Sequence, residues 1–165
     1  MPIILSDIRA AVQAYLNSKV AVSVSAVTPD VPSTLNPGEE ATFGVTITNA
    51  GFPDGIRLTN VRYRLWTSGT LKLKVPPAAL AVARASNSSA APALAPGTFV
   101  SEMYLFPTDS TLDVGDSDAM SGLKIKAGTL GGYSINCRII ADADTNFLFP
   151  KDEDSATASR AVSVV

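Results

Sequence analysis

The chain has 165 residues, enough for one domain with a sizeable core. With 13 Lys and Arg against 15 Asp and Glu its net charge is −2, which argues against a binder of nucleic acid or of a membrane surface, since either would need a concentrated basic face. Histidine is absent and Cys137 is the one cysteine, so Ser-His-Asp and Cys-His catalysis, zinc sites and an intrachain disulfide are excluded.

Charged residues make up 17% of the chain, against about a quarter in average soluble proteins. The polar surface is therefore built largely from Ser, Thr, Asn and Gly. Such a surface loses less ionic hydration on contact than a Lys/Glu-rich one, which suits a protein packed against partners. The opening MPIILSDIRAAVQAYL carries no basic leader and reaches Asp7 and Arg9 before any adequate apolar run, so it does not read as an export signal. No apolar run approaches the roughly 18 residues of a membrane-spanning helix.

Residues 1–18 read as a helical arm and 19–165 as the main domain. Ser6 can cap a helix over about 7–17, with Asp7 at its positive end. Ile4, Ile8, Val12 and Tyr15 fall on one side at helical spacing. A helix this short is marginal alone. Its apolar side must dock, either over one end of its own domain or, as an arm, on a neighbouring subunit.

From Lys19 the period changes to two. Val20, Val22 and Val24 alternate with small residues, and a link with three prolines follows. NPGEEATFGVTITNAG, residues 36–51, is a Pro-Gly turn launching a strand with Phe43, Val45 and Ile47 on one face. A strand over 56–67 alternates Val61, Tyr63 and Leu65 with Arg62, Arg64 and Trp66; Leu71, Leu73 and Val75 then alternate with Lys72 and Lys74. Residues 86–97, SNSSAAPALAPG, have loop composition and predict a mobile or partner-ordered loop.

A strand over 98–106 carries apolar residues on both faces, Phe99, Met103 and Leu105 against Val100, Tyr104 and Phe106. Its outward face is therefore expected to be covered. Strands over 121–127, 132–141 and 157–165 complete the chain, and Cys137 shares the apolar face of its strand with Tyr133, Ile135 and Ile139. Turn signals about every 10 residues predict an all-β, Ig-like antiparallel β-sandwich of seven or eight strands with a short N-terminal helix.

The turn-and-strand layout, PGEEATFGVTITNAG, LAPGTFVSEMYL, LDVGDSDAM, GGYSINCRIIADADTN and DEDSATASRAVSV, resembles the bacterial CARDB-type Ig-like modules over roughly residues 19–165. The resemblance implies a sandwich used in secreted or surface proteins for adhesion or ligand binding, with no catalytic residues. In its stand-alone form with a helical arm the chain is also similar to phage virion decoration (cement) proteins, a likeness of fold type.

Carboxylates carry the remaining chemistry. Asp142, Asp144 and Asn146 stand at i, i+2 and i+4 with Glu153 at i+11, the oxygen-ligand spacing of an EF-hand loop. Phe147 occupies the position of its glycine and Pro150 interrupts it. What remains is a looser Ca²⁺ candidate across an acidic hairpin, set against a solvated hairpin with no ion. Asp109, Asp113, Asp116 and Asp118 are read as turn and cap residues, with metal binding as the alternative. Trp66, with Tyr63, Tyr104 and Phe106, forms either an aromatic contact patch or ordinary core and sheet packing.

The expectation is a non-enzymatic structural protein of a multisubunit assembly, with no cofactor beyond that Ca²⁺ candidate. Its finest form is a capsid decoration protein assembled in the host cytoplasm, whose partners are capsid or tail proteins or further copies of itself. An extracellular or surface adhesion module is the alternative, and a carbohydrate-binding module the third. Candidate contacts are Ile4, Ile8, Val12, Tyr15, Trp66, Tyr104 and Phe106.

Overall fold

The computed structural model describes residues 4–18, 22–26, 32–49, 56–143 and 153–165. After helix α1 (Leu5–Ser18), the described residues form two stacked sheets. The strands are β1 (Val22–Ala26), β2 (Thr34–Leu35), β3 (Glu40–Asn49), β4 (Leu58–Thr67), β5 (Lys72–Lys74), β6 (Ala81–Arg84), β7 (Phe99–Val100), β8 (Glu102–Pro107), β9 (Ser117–Lys126), β10 (Gly131–Ala143) and β11 (Glu153–Val164). One sheet runs β1-β3-β9-β5-β7 and the other β2-β11-β10-β4-β8-β6. Every described pairing is antiparallel except β2 with β11.

This is the expected Ig-like sandwich. Seven strands are five residues or longer, matching the periodic segments of the sequence. The short additions β2, β5, β6 and β7 span two to four residues, too few for periodicity to separate them all from loops.

Alternation fills the core as anticipated. Phe43, Val45 and Ile47 from β3 meet Tyr63 and Leu65 from β4 and Ile135, Cys137 and Ile139 from β10, all buried. Three turns of one kind launch strands. Glu39 N donates to Asn36 O at 3.0 Å, Thr98 N to Ala95 O at 3.3 Å and Asp116 N to Asp113 O at 3.1 Å. Each has glycine at its third position with φ between 81° and 83°, at Gly38, Gly97 and Gly115. That is the type II geometry, which L side chains resist.

Two expectations need correction. The single strand read over 98–106 is two strands in different sheets. β7 pairs with β5, the chain crosses at Ser101, and β8 pairs with β4 and β6. The crossing reverses the facing, so Phe99 points outward while Val100 packs against the core. Residues 86–97 are also anchored rather than free. Leu94 N donates to Ala83 O at 2.8 Å, Gly97 N to Val75 O at 2.9 Å, and the Arg84 guanidinium donates to Ala91 O. Leu94 further packs against the core. Composition reported the lack of periodicity correctly but could not show these attachments.

Tyr133, at the start of β10, joins the ends of the two sheets. Its hydroxyl donates to Thr129 O at 2.9 Å and accepts from Thr70 Oγ1 at 3.0 Å, while Thr129 N donates to that same Thr70 oxygen at 3.0 Å. A tyrosine hydroxyl bonded to backbone a few residues upstream is the corner seen in Ig-like domains. Tyr133→Phe should lower stability, read as a fall of the urea midpoint with unchanged slope; no shift would show that the corner is ornamental.

Candidate binding surfaces

The outer face of the six-stranded sheet gathers the arginines and aromatics. Arg64 stands directly opposite Arg138 on one side and Tyr104 on the other, and Tyr104 opposite Arg84. The Arg64 guanidinium lies 4.6 Å from the Trp66 ring centroid and 5.9 Å from that of Tyr104. Glu102 grips it with two bonds, Nε to Oε1 at 3.1 Å and Nη2 to Oε2 at 3.2 Å. This hydrogen bonding holds the arginine above its ordinary pKa. Arg84 similarly covers Phe106 at 5.7 Å.

The structure thus brings Trp66, Tyr104 and Phe106 together, half-buried and capped by guanidinium groups. Stacked arginine stems and rings shield one another from water. The outward face expected to be covered is capped in part by these arginines, and the three rings remain half-buried upon it.

The other anticipated residues lie elsewhere. Asp142 faces outward on β10 with both carboxylate oxygens engaged: Arg62 Nη2 donates at 3.3 Å and Asn60 Nδ2 at 2.8 Å. Asn60, at φ 49°, sits where the β4–β10 register shifts; left-handed backbone of this kind suits asparagine better than most residues. Glu153 stands opposite Asp142 in the ladder. Its side chain, Asp144 and Asn146 lie outside the described residues. Among the described residues no group of three or more His, Cys, Asp or Glu is placed to hold a metal.

In the second acidic run, Asp113 pairs with Arg57 at 2.5 Å, Asp109 accepts from Thr111 N at 3.2 Å, and Asp118 accepts from Ala119 N at 2.9 Å. Asp109 thus makes a local turn bond of the kind read from the sequence, Asp113 instead pairs with an arginine, and Asp118 lies within β9.

On α1, Ile4, Ile8 and Tyr15 are 57%, 48% and 58% exposed and Val12 is half-buried. Among the described residues the helix packs along no strand. The two docking alternatives, over an end of its own sandwich or on a neighbouring subunit, both concern this apolar side.

Sequence reasoning missed the outer face of the five-stranded sheet. Lys72 stands directly opposite Lys126, and Lys74 opposite Lys124. The ammonium groups of Lys74 and Lys126 lie 5.5 Å and 5.0 Å from the ring of exposed Phe99. Glu40 accepts from Lys74 at 3.0 Å. That bond, aided by the fields of Lys124 and Lys126, holds the Glu40 carboxyl below its usual pKa. The available signal was a repeat: LKLK at 71–74 and LKIK at 123–126 carry one pattern onto adjacent strands.

No protein-family model matches the chain, and none of the curated proteins does. Solved structures do resemble it. The CARDB domain of a Pyrococcus furiosus protein, solved in complex with di-metal ions, is 16% identical over 88% of this chain and 87% of that one, with a TM-score of 0.45. A cohesin module from a Clostridium perfringens family 33 glycoside hydrolase is 8% identical over 88% and 96%, with a TM-score of 0.48. AggA, the major subunit of an Escherichia coli aggregative adherence fimbria, is 11% identical over 88% and 94%, with a TM-score of 0.39. These are distant likenesses of β architecture and assign no site.

Proposed function

We propose that the chain is a non-catalytic building block of a protein assembly, with the sandwich as a rigid body and α1 as an arm that docks on a neighbouring subunit. The observation that carries this reading is the exposure of Ile4 and Ile8 on a helix that, among the described residues, packs along no strand. A 14-residue helix gains little from its own hydrogen bonds. Burying two isoleucines on a neighbour contributes about 1.5–3 kcal/mol each, which offsets the ordering of the arm.

Sparse charge supports the same reading, since few ionic groups must lose water when such a surface is covered. In its finer form the assembly is a phage particle, with the chain as a capsid decoration protein. The supports for that form are the arm and the low charge, and its test is co-sedimentation with purified particles.

Analytical ultracentrifugation over a wide concentration range tests the docking arm. Self-association is expected, and Ile4→Asp/Ile8→Asp should abolish it while leaving the melting of the sandwich unchanged. A wild-type chain that stays monomeric throughout, or a variant that associates equally well, would sink this form of docking.

A further inference from the structure

The lysine-bearing face does something the fold does not require. Like charges placed directly opposite each other on neighbouring strands destabilise a sheet, and here two such pairs, Lys72 with Lys126 and Lys74 with Lys124, stand side by side. Glu40 stands opposite Lys126 on β9 and, among the described residues, forms its ion pair with Lys74. Lys72 donates to the neutral Ser101 hydroxyl at 2.5 Å. Lys124 and Lys126 form no ion pair among the described residues, and Lys126 faces the Phe99 ring. The rest of this face is neutral, with Thr42, Thr46 and Thr48 on β3 and Ser117 on β9. A local excess of positive charge therefore stands on a chain whose net charge is −2.

Beside the lysines lies an open groove of about 240 Å³ between Lys74 and Lys124, walled by Pro76, Pro77 and Pro96. Its walls are tied together, because Val75 N donates to Thr98 O at 2.8 Å and Gly97 N to Val75 O at 2.9 Å. Gly122 lies where the β3–β9 register shifts and leaves its stretch of floor bare. The groove is thus rigid, mostly apolar and flanked by cations. An aliphatic side chain fits the prolines, and carboxylates beside it fit the ammonium groups.

We propose that this face receives an acidic segment of another protein, whose carboxylates pair with Lys72, Lys124 and Lys126 while one of its apolar side chains enters the proline-walled groove. Charge complementarity carries the choice of an acid, and the apolar groove carries the choice of a peptide over a phosphate polymer. A nucleic acid or anionic membrane would need basic surface beyond these four lysines, where the face presents threonine and serine instead. The surface is separate from the α1 arm, so the two proposals stand or fall independently.

Fluorescence anisotropy of a labelled peptide alternating glutamate and leucine tests the assignment. Saturable binding is expected that weakens as salt rises. Lys124→Glu/Lys126→Glu should weaken it by about tenfold or more, equivalent to about 1.4 kcal/mol per tenfold. A second variant, Lys124→Gln/Lys126→Gln, should also weaken binding while melting close to wild type, since it relieves the opposed lysines as it gives up the charge opposite Glu40; this separates lost binding from lost folding. The proposal is overturned by absent binding, by equal binding of the variants, or by a glutamate–serine peptide binding as well as glutamate–leucine. It is also overturned by tighter binding to oligo-dT or to phosphatidylserine vesicles, or by self-association that the charge-reversed variant abolishes, which would make the occupant a second copy of the chain.

Discussion

Replacing Asn49 with alanine should destabilise the fold by about 3 kcal/mol, because its side chain is a buried clamp rather than the polar end of a strand. Asn49 is fully buried at the end of β3. Its amide donates to Ile56 O at 3.0 Å, on the approach to β4, and to Leu112 O at 3.2 Å, on the approach to β9. Its backbone continues the same junction, accepting from Gly115 N at 2.7 Å and donating to Asp116 O at 3.0 Å. Alanine keeps the backbone bonds but strips the side-chain donor from Ile56 O, while Leu112 O retains Leu58 N at 2.9 Å. An acceptor left without a donor costs about 1–3 kcal/mol, and the space vacated by the buried amide adds a cavity cost.

For a domain of this size that loss corresponds to a fall in Tm of roughly 6–12 °C. Asn49→Asp should be worse than alanine, since a buried carboxylate would face two carbonyl oxygens with no donor to offer. Urea unfolding of the three proteins should rank them asparagine, alanine, aspartate. An alanine variant within about 0.5 kcal/mol of wild type would show that water replaces the clamp.

The same residue shows where the sequence is legible and where it is not. Asn49 followed by Ala50-Gly51 reads as a strand ending, which it is. Nothing along the chain reports that its amide meets Ile56 and Leu112, because those partners are set by how β3 lies against later segments. Facing is legible wherever one side of a strand is buried, as for Val61, Tyr63 and Leu65 against Arg62, Arg64 and Trp66. Alternation fails at Ser101, where the strand changes sheet and the pattern loses a step between Val100 and Met103.

The Pro-Gly and Val-Gly turns were readable because one backbone geometry demands one residue type. The lysine face was not, because LKLK and LKIK lie about 50 residues apart in sequence and only strand order makes them neighbours. Charge on a single strand says solvated surface; charge on two paired strands says a field. Composition alone supplied the exclusions that narrow the chemistry, since a chain with no histidine and one cysteine has few catalytic groups to place.

That one cysteine sets the second large expectation, a loss of stability in alkali. Cys137 is buried among apolar neighbours on β10, and burial pushes its thiol up to about 12 from an ordinary value of 9.0. Below pH 9 the thiol is protonated in both folded and unfolded chains, and its contribution is constant. As pH rises past 9 the unfolded chain ionises and the folded chain does not, so unfolding is favoured until the folded thiol itself ionises near pH 12. Three pH units at about 1.4 kcal/mol each give a total loss of about 4 kcal/mol.

Tyr63 acts in the same direction, its phenol pushed up by burial and then by the charge of Asp118, whose oxygen lies 3.5 Å away. The urea midpoint should therefore fall steeply between pH 9 and pH 11. In Cys137→Ala the overall stability is lower but the alkaline fall is shallower, because the buried thiol has gone while Tyr63 remains. The native thiol should also resist alkylation at pH 8 and react once urea unfolds the chain. An alkaline fall of equal slope in both proteins would show that Cys137 contributes nothing to it, and rapid alkylation of the native protein would show a thiol far less enclosed than its neighbours on β10 make it.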